Sequence, residues 1–181
     1  MSVHMELMRL EIERYDWAAM RCGCQRSSGH LAEDLVAVAQ GMEGTDLVDH
    51  VVAPGDVLVE ASLPTLAVAL AAIAGDLAEQ ARAKFFHLIL CLIGDNGHAH
   101  GLSEGRNPVA ECRELARTGL WMFYSEVFAG HSGSLAAVYA FEIVSILDED
   151  GANRDRVLRV QAAAAERLPW DLRPPRSPFE D

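Results

Sequence analysis

The stretch "GDVLVEASLPTLAVALAAIAGD", residues 55–76, decides how the rest of the chain is read. It is oily enough to raise three readings: a membrane span, a buried strand pair, or one layer of a helical stack. Leu63, Leu66, Ala67, Leu70, Ile73 and Ala74 recur at offsets of three and four, the spacing of one helix face. Pro64 then falls in a first turn, where its missing N–H is not needed. A span takes about 20 apolar residues in succession, whereas Gly55-Asp56 and Gly75-Asp76 close this run and Glu60 interrupts it. The spacing predicts a short helix up to Ser62, a bend, and a second helix to Ala74.

Segments of the same kind follow. "DLAEQARAKFFHLILCLIGD" opens on Asp76 as an N-cap, becomes apolar on nearly every side and stops at Gly94, as a central helix should. "NPVAECRELARTGLWMFYSEVFAG" starts with Asn107 as cap and Pro108 at the first helical position, then bends near Thr118 and Gly119. "SGSLAAVYAFEIVSILDEDG" and "NRDRVLRVQAAAAERL" carry Ser134 and Asn153 in front of them as caps. Upstream, residues 3–14 read as an amphipathic helix, and "SSGHLAEDLVAVAQG" and "TDLVDHVV" as a shorter pair. No segment alternates as a strand would. The expectation is an all-α domain over 1–168, a short α-solenoid of about eight antiparallel helices in HEAT-like pairs spaced by about 40 residues. "PWDLRPPRSPFED", residues 169–181, reads as a Pro-rich tail.

Composition agrees. Half of the 181 residues are apolar but only 7% are aromatic, so the core must come from Leu, Ala, Val and Ile packed closely through Ala. The formal net charge of −12 repels phosphate backbones and anionic lipid. Nucleic acid and membrane are therefore poor partners, and a basic protein or an amine is electrostatically permitted. The N-terminal stretch carries Glu6, Glu11 and Glu13 without an apolar core, so it does not read as a signal peptide, and a cytoplasmic location is expected.

Asp16 with Trp17, "GDVLVEASLPTL", the helix containing Arg82, "AECRELARTGL" and "SLAAVYAFEIVSIL" together resemble a group of actinobacterial HEAT-like helical-repeat proteins over residues 15–168. Many of those relatives carry a His-Gln-Gly element before the valine where this chain has "APGD". The resemblance implies a scaffold whose concave or end surface binds something, and it supplies no catalytic residue.

The search for chemistry gives mostly negatives. "GLSEG", residues 101–105, fits G-x-S-x-G, but Ser103 lacks the preceding strand that a nucleophile elbow needs. His87 and Cys91 are four apart on one helix, with His98 and His100 following, enough donors in principle for tetrahedral zinc. "HAH" is also a common solvated loop pattern, and Cys91 has apolar neighbours on both sides. Cys22 and Cys24 in "RCGCQ" lack a second cysteine pair and read as turn residues near a packed Trp17. No metal and no cofactor is assigned. Glu60, Glu126 and Glu142 sit in apolar surroundings, where burial raises a carboxyl pKa, yet each reads more readily as a cap, an Arg partner or an edge residue facing water.

Two contact surfaces remain. The aromatic segment "GLWMFYSEVF" with Trp121, Tyr124 and Glu126 is one, and the acidic patch of Asp46, Asp49, Asp56 and Glu60 beside His50 is the other. The expected function is a non-catalytic acidic scaffold for a protein partner, of the inhibitor or immunity type, with a homodimer as one further contact. The alternative is a small-molecule-binding protein or enzyme with a pocket lined by His87, Trp121, Tyr124 and Glu126.

Overall fold

The computed structural model describes residues 3–42, 46–53, 57–94, 107–131, 133–148 and 153–174. Among them the chain forms α1 (Val3–Ile12), α2 (Gly29–Ala39), α3 (Val48–Val51), α4 (Ser62–Ile73), α5 (Glu79–Ile93), α6 (Pro108–Arg117), α7 (Leu120–Ala129), α8 (Leu135–Leu147) and α9 (Arg154–Ala163). The fold is all-α. The one sheet among these residues is a pair of two-residue strands, β1 (Val52–Ala53) and β2 (Val57–Leu58), antiparallel with Val52 opposite Leu58. It corrects the expected short helix before Ser62. Val52, Val57 and Val59 are β-branched and flank a Pro-Gly-Asp sequence, so local preference favours a ribbon over a helix there.

Helix α4 is buried on nearly every side, because α1, α2, α5 and α6 all pack against it. Its Ala67, Ala69 and Ala72 allow these neighbours to come close, while Leu66, Leu70 and Ile73 fill the space between. Helix α5 contributes Phe85, Phe86, Leu88, Ile89, Leu92 and Ile93 and packs on α8, which in turn packs on α7. Each such side chain, fully withdrawn from water, contributes about 1.5–3 kcal/mol. Among the described residues no helix is long and apolar enough to cross a membrane.

The cap expectations divide. Asn107 accepts the Ala110 N–H at 3.0 Å, and Ser134 accepts the Ala137 N–H at 3.5 Å. Asp76 does not cap α5, which starts three residues later with extended Ala78 in front of it. Leu77 is buried, and keeping the chain extended to seat it in the core delays the helix. Asn153 makes no side-chain cap bond to α9. Arg82 of α5 closes the end of α4 instead, donating to the Gly75 carbonyl at 2.8 Å and the Ile73 carbonyl at 3.5 Å, and it also pairs with the Glu126 carboxylate of α7 at 3.0 Å.

Beyond α9, Leu168 is buried and the chain turns back through a 3-10 turn at Trp170–Leu172. Gln161 donates to the Leu172 carbonyl at 2.8 Å and fastens this turn to α9.

Candidate metal centre

Between α1 and α2 the chain makes a tight knuckle. Arg21 and Ser27 form an isolated antiparallel bridge, the Cys22 N–H donates to the Arg26 carbonyl at 2.9 Å, and the Gln25 N–H donates to the Cys22 carbonyl at 2.8 Å. Gln25 closes the turn in the left-handed region at φ 65°. The knuckle sits directly on α3. The Gly23 N–H donates to the His50 carbonyl at 2.7 Å, and a Cβ on Gly23 would lie 2.6 Å from the Asp49 carbonyl oxygen and 2.9 Å from that of Val52. Only glycine fits between Cys22 and Cys24 at this contact.

This docking brings four donors from three elements to one point: Cys22 and Cys24 from the knuckle, His30 from the first turn of α2, and His50 from α3. All four ligand atoms lie within 4.8 Å of one another. Cys22 Sγ is 3.5 Å from His30 Nε2 and 3.1 Å from His50 Nδ1; Cys24 Sγ is 3.1 Å from Cys22 Sγ and 3.6 Å from His30 Nε2; the two ring nitrogens are 3.2 Å apart. Zinc bonds of about 2.3 Å to sulfur and about 2.0–2.1 Å to nitrogen, arranged tetrahedrally, set edges of roughly 3.8 Å (S–S), 3.5 Å (S–N) and 3.3 Å (N–N). The nitrogen–nitrogen edge and two of the sulfur–nitrogen edges already match. The sulfur–sulfur edge and the Cys22–His50 edge, at 3.1 Å each, are shorter than these values.

The surroundings suit a cation. The Cys24 N–H points at Cys22 Sγ at 3.4 Å, a donor that stabilises a sulfur anion. The far nitrogen of His50, Nε2, lies 3.8 Å from Asp34 Oδ2 of α2, the position from which a carboxylate orients a ligating imidazole. Burial, followed by the hydrogen bond with Cys24, pushes the Cys22 thiol up to about 11. Hydrogen bonds from Cys22 and then Arg26 bring Cys24 down to about 5. A cation bound between the two sulfurs would take both as thiolates and release their protons.

The residues anticipated from sequence engage separate partners. Asp49 is exposed on α3 beside His50, and Glu60 accepts the Arg21 N–H at 3.2 Å at the foot of the knuckle, so both border the cluster. Asp56, Ser103, His98 and His100 lie outside the described residues. His87 rests 3.6 Å from Cys91 Sγ and against the Tyr139 ring, with centroids 5.1 Å apart. Trp121 and Tyr124 are ring neighbours at 5.7 Å, with Trp121 exposed and Tyr124 buried. The Tyr124 hydroxyl donates to Asp148, which also takes the Arg156 guanidinium. Glu126 belongs to Arg82. Cys22 and Cys24 have no second cysteine pair in the sequence; the remaining donors are histidines, His30 six positions after Cys24 and His50 in the next helix. Comparison with family models, with curated proteins and with solved structures finds no match to this chain.

Proposed function

We propose that this chain is a zinc-binding helical domain in which one ion, held by Cys22, Cys24, His30 and His50, staples the N-terminal segment to the helical core, and whose outer surface serves as a non-catalytic scaffold. The convergence of two thiols and two imidazoles from three elements within 4.8 Å carries the reading. Two sulfurs and two nitrogens match the preference of zinc, whereas magnesium and calcium take oxygen donors. Four protein donors complete a tetrahedron and leave no position for water or substrate, the arrangement of a structural site.

The scaffold half of the reading is supported by the charge of −12 and by large apolar side chains left on the surface, Trp121 at 70% and Trp170 at 84% exposed. The partner it fits is a basic protein. A HEAT-like arrangement of helical pairs and a reducing, cytoplasmic setting that keeps the thiolates available belong to the same proposal.

Metal analysis of the chain purified without added chelator tests the staple, and one zinc per chain is expected. At free zinc 100 times Kd the ion adds about 2.7 kcal/mol, a difference of roughly 5–10 °C in Tm between zinc-loaded and chelator-treated protein. Absence of bound metal together with an unchanged Tm after chelation contradicts the reading. For the scaffold, affinity capture compares the natural chain with an Asp49→Lys, Glu60→Lys variant. A protein recovered only by the former supports a basic partner; equal recovery by both contradicts it.

A further inference from the structure

The two cysteines of the cluster differ in one respect. Cys22 is buried and Cys24 is exposed, although their sulfurs are 3.1 Å apart and only Gly23 separates them. A groove of about 540 Å³ bordered by Met20, Cys22, Gly23, Gln25 and Arg26 opens on the other side of the knuckle from solvent-exposed Cys24, which does not line it. The other two thiols are placed differently: Cys112 is buried in α6 and Cys91 is half-buried on α5 beside His87. A structural metal site ordinarily keeps its sulfurs inside. This one presents a sulfur at the surface with a second sulfur directly behind it, the arrangement of a peroxide-attacking thiolate and a resolving thiolate.

We infer that the centre is an oxidation site, at which peroxide joins Cys22 and Cys24 as a disulfide and expels the zinc. The inference rests on the zinc reading above, because the ion is what holds both sulfurs as thiolates at neutral pH. The exposed Cys24 thiolate attacks a peroxide oxygen; the O–O bond breaks, Cys24 becomes a sulfenic acid, and the departing oxygen leaves as water after taking a proton from solvent. The Cys22 thiolate then attacks the Cys24 sulfur, forming the S–S bond and releasing the sulfenic oxygen as hydroxide, which a second proton converts to water. In sum, two thiolates, one hydrogen peroxide and two protons give one disulfide and two waters: the sulfurs lose two electrons and the peroxide gains them. Zinc is left with His30 and His50 alone and dissociates. A dithiol reductant with fresh zinc reverses the change, so the staple between the knuckle, α2 and α3 becomes a reversible one.

The test treats the zinc-loaded native chain with stepwise hydrogen peroxide while a chromogenic chelator reads released zinc and mass spectrometry maps the cysteines. The expected result is one zinc released per Cys22–Cys24 disulfide, with Cys112 unmodified, and recovery of bound zinc after dithiol reduction and resupply. Zinc retained at peroxide levels that oxidise a free cysteine peptide overturns the inference, and so does zinc release that tracks sulfinic acid at Cys24 or a disulfide elsewhere. A chain purified without zinc sinks the metal centre itself, and this inference with it, before peroxide is added.

Discussion

Cys22 Sγ lies 3.1 Å from His50 Nδ1, although the two residues are 28 positions apart. The contact is fixed by backbone as well as by side chains, since the Gly23 N–H bonds to the carbonyl of the same histidine at 2.7 Å. The knuckle and α3 are therefore packed as one unit, which brings Cys22 and Cys24 beside the His50 side chain. Packing of this kind reduces the ordering cost that a flexible loop would impose on metal binding.

Asp34 Oδ2 lies 3.8 Å from the far ring nitrogen of His50, Nε2. Asp34→Asn keeps the shape and removes the charge. Competition with a zinc chelator should show about a 10-fold loss of affinity, the low end of what removal of an outer-shell carboxylate costs. Unchanged affinity would mean that Asp34 is only a surface neighbour.

Gly23→Ala puts a methyl group where the Asp49 and Val52 carbonyl oxygens stand, at 2.6 and 2.9 Å. Neither neighbour is the end of a flexible side chain, so the knuckle must lift off α3 and carry Cys22 and Cys24 away from His50. Zinc affinity should fall by more than in the Asp34 variant, while the far-ultraviolet circular dichroism of the helical core stays close to that of the natural chain. A Gly23→Ala protein with native affinity contradicts the docking geometry.

At the other end of the molecule, Tyr124, Asp148 and Arg156 tie α7, the end of α8 and α9 together. Asp148→Ala removes the acceptor of the buried Tyr124 hydroxyl, which keeps only the bond it accepts from Arg156, and should cost about 1–3 kcal/mol in denaturant unfolding. Tyr124 also carries a pH signature. Burial and then the hydrogen bond to Asp148 push its pKa up from 10 to about 12, so the folded state favours the protonated phenol. Its contribution is complete below the unfolded value and is lost as pH rises from about 10 to about 12. Tyr124→Phe should flatten the fall of stability over that window, and an identical fall in both proteins removes Tyr124 from the account.

Thiol alkylation separates the cysteines. Cys112 is fully buried, and desolvation, with Glu111 nearby, pushes its thiol up to about 12, so it should react only on unfolding. Cys24 should react promptly in the chelator-treated chain and more slowly, though still detectably, in the zinc-loaded one. Equal labelling of Cys24 with and without zinc would place the ion elsewhere.

How much of this was legible in the sequence follows from which interactions are local. Helices α4 to α8 repeat apolar residues at helical spacing and carry stop signals that depend on neighbours in the chain, so their existence and most of their ends could be read; Asn107 and Ser134 cap as expected. Asp76 misled because the burial of Leu77, a tertiary effect, outweighs a good cap. The β1–β2 ribbon is too short for alternation to register. The metal cluster escaped for a different reason. Cys-x-Cys is uninformative alone, and His30 and His50 lie in different helices brought beside the cysteines by long-range packing, which no spacing rule reports. Asp49 and Glu60, chosen for charge, lie beside the cluster, whereas Tyr124 and Glu126 turned out to hold helices together through Asp148 and Arg82.

Cobalt(II) titration of the metal-free chain tests the central claim most directly, because the spectrum of this ion reports ligand type and geometry together. The account predicts saturation at one equivalent, with the strong visible bands of tetrahedral cobalt and an ultraviolet sulfur-to-cobalt charge-transfer band whose intensity halves in Cys24→Ser. Weak octahedral bands without sulfur character, or a spectrum indifferent to loss of Cys24, would contradict it.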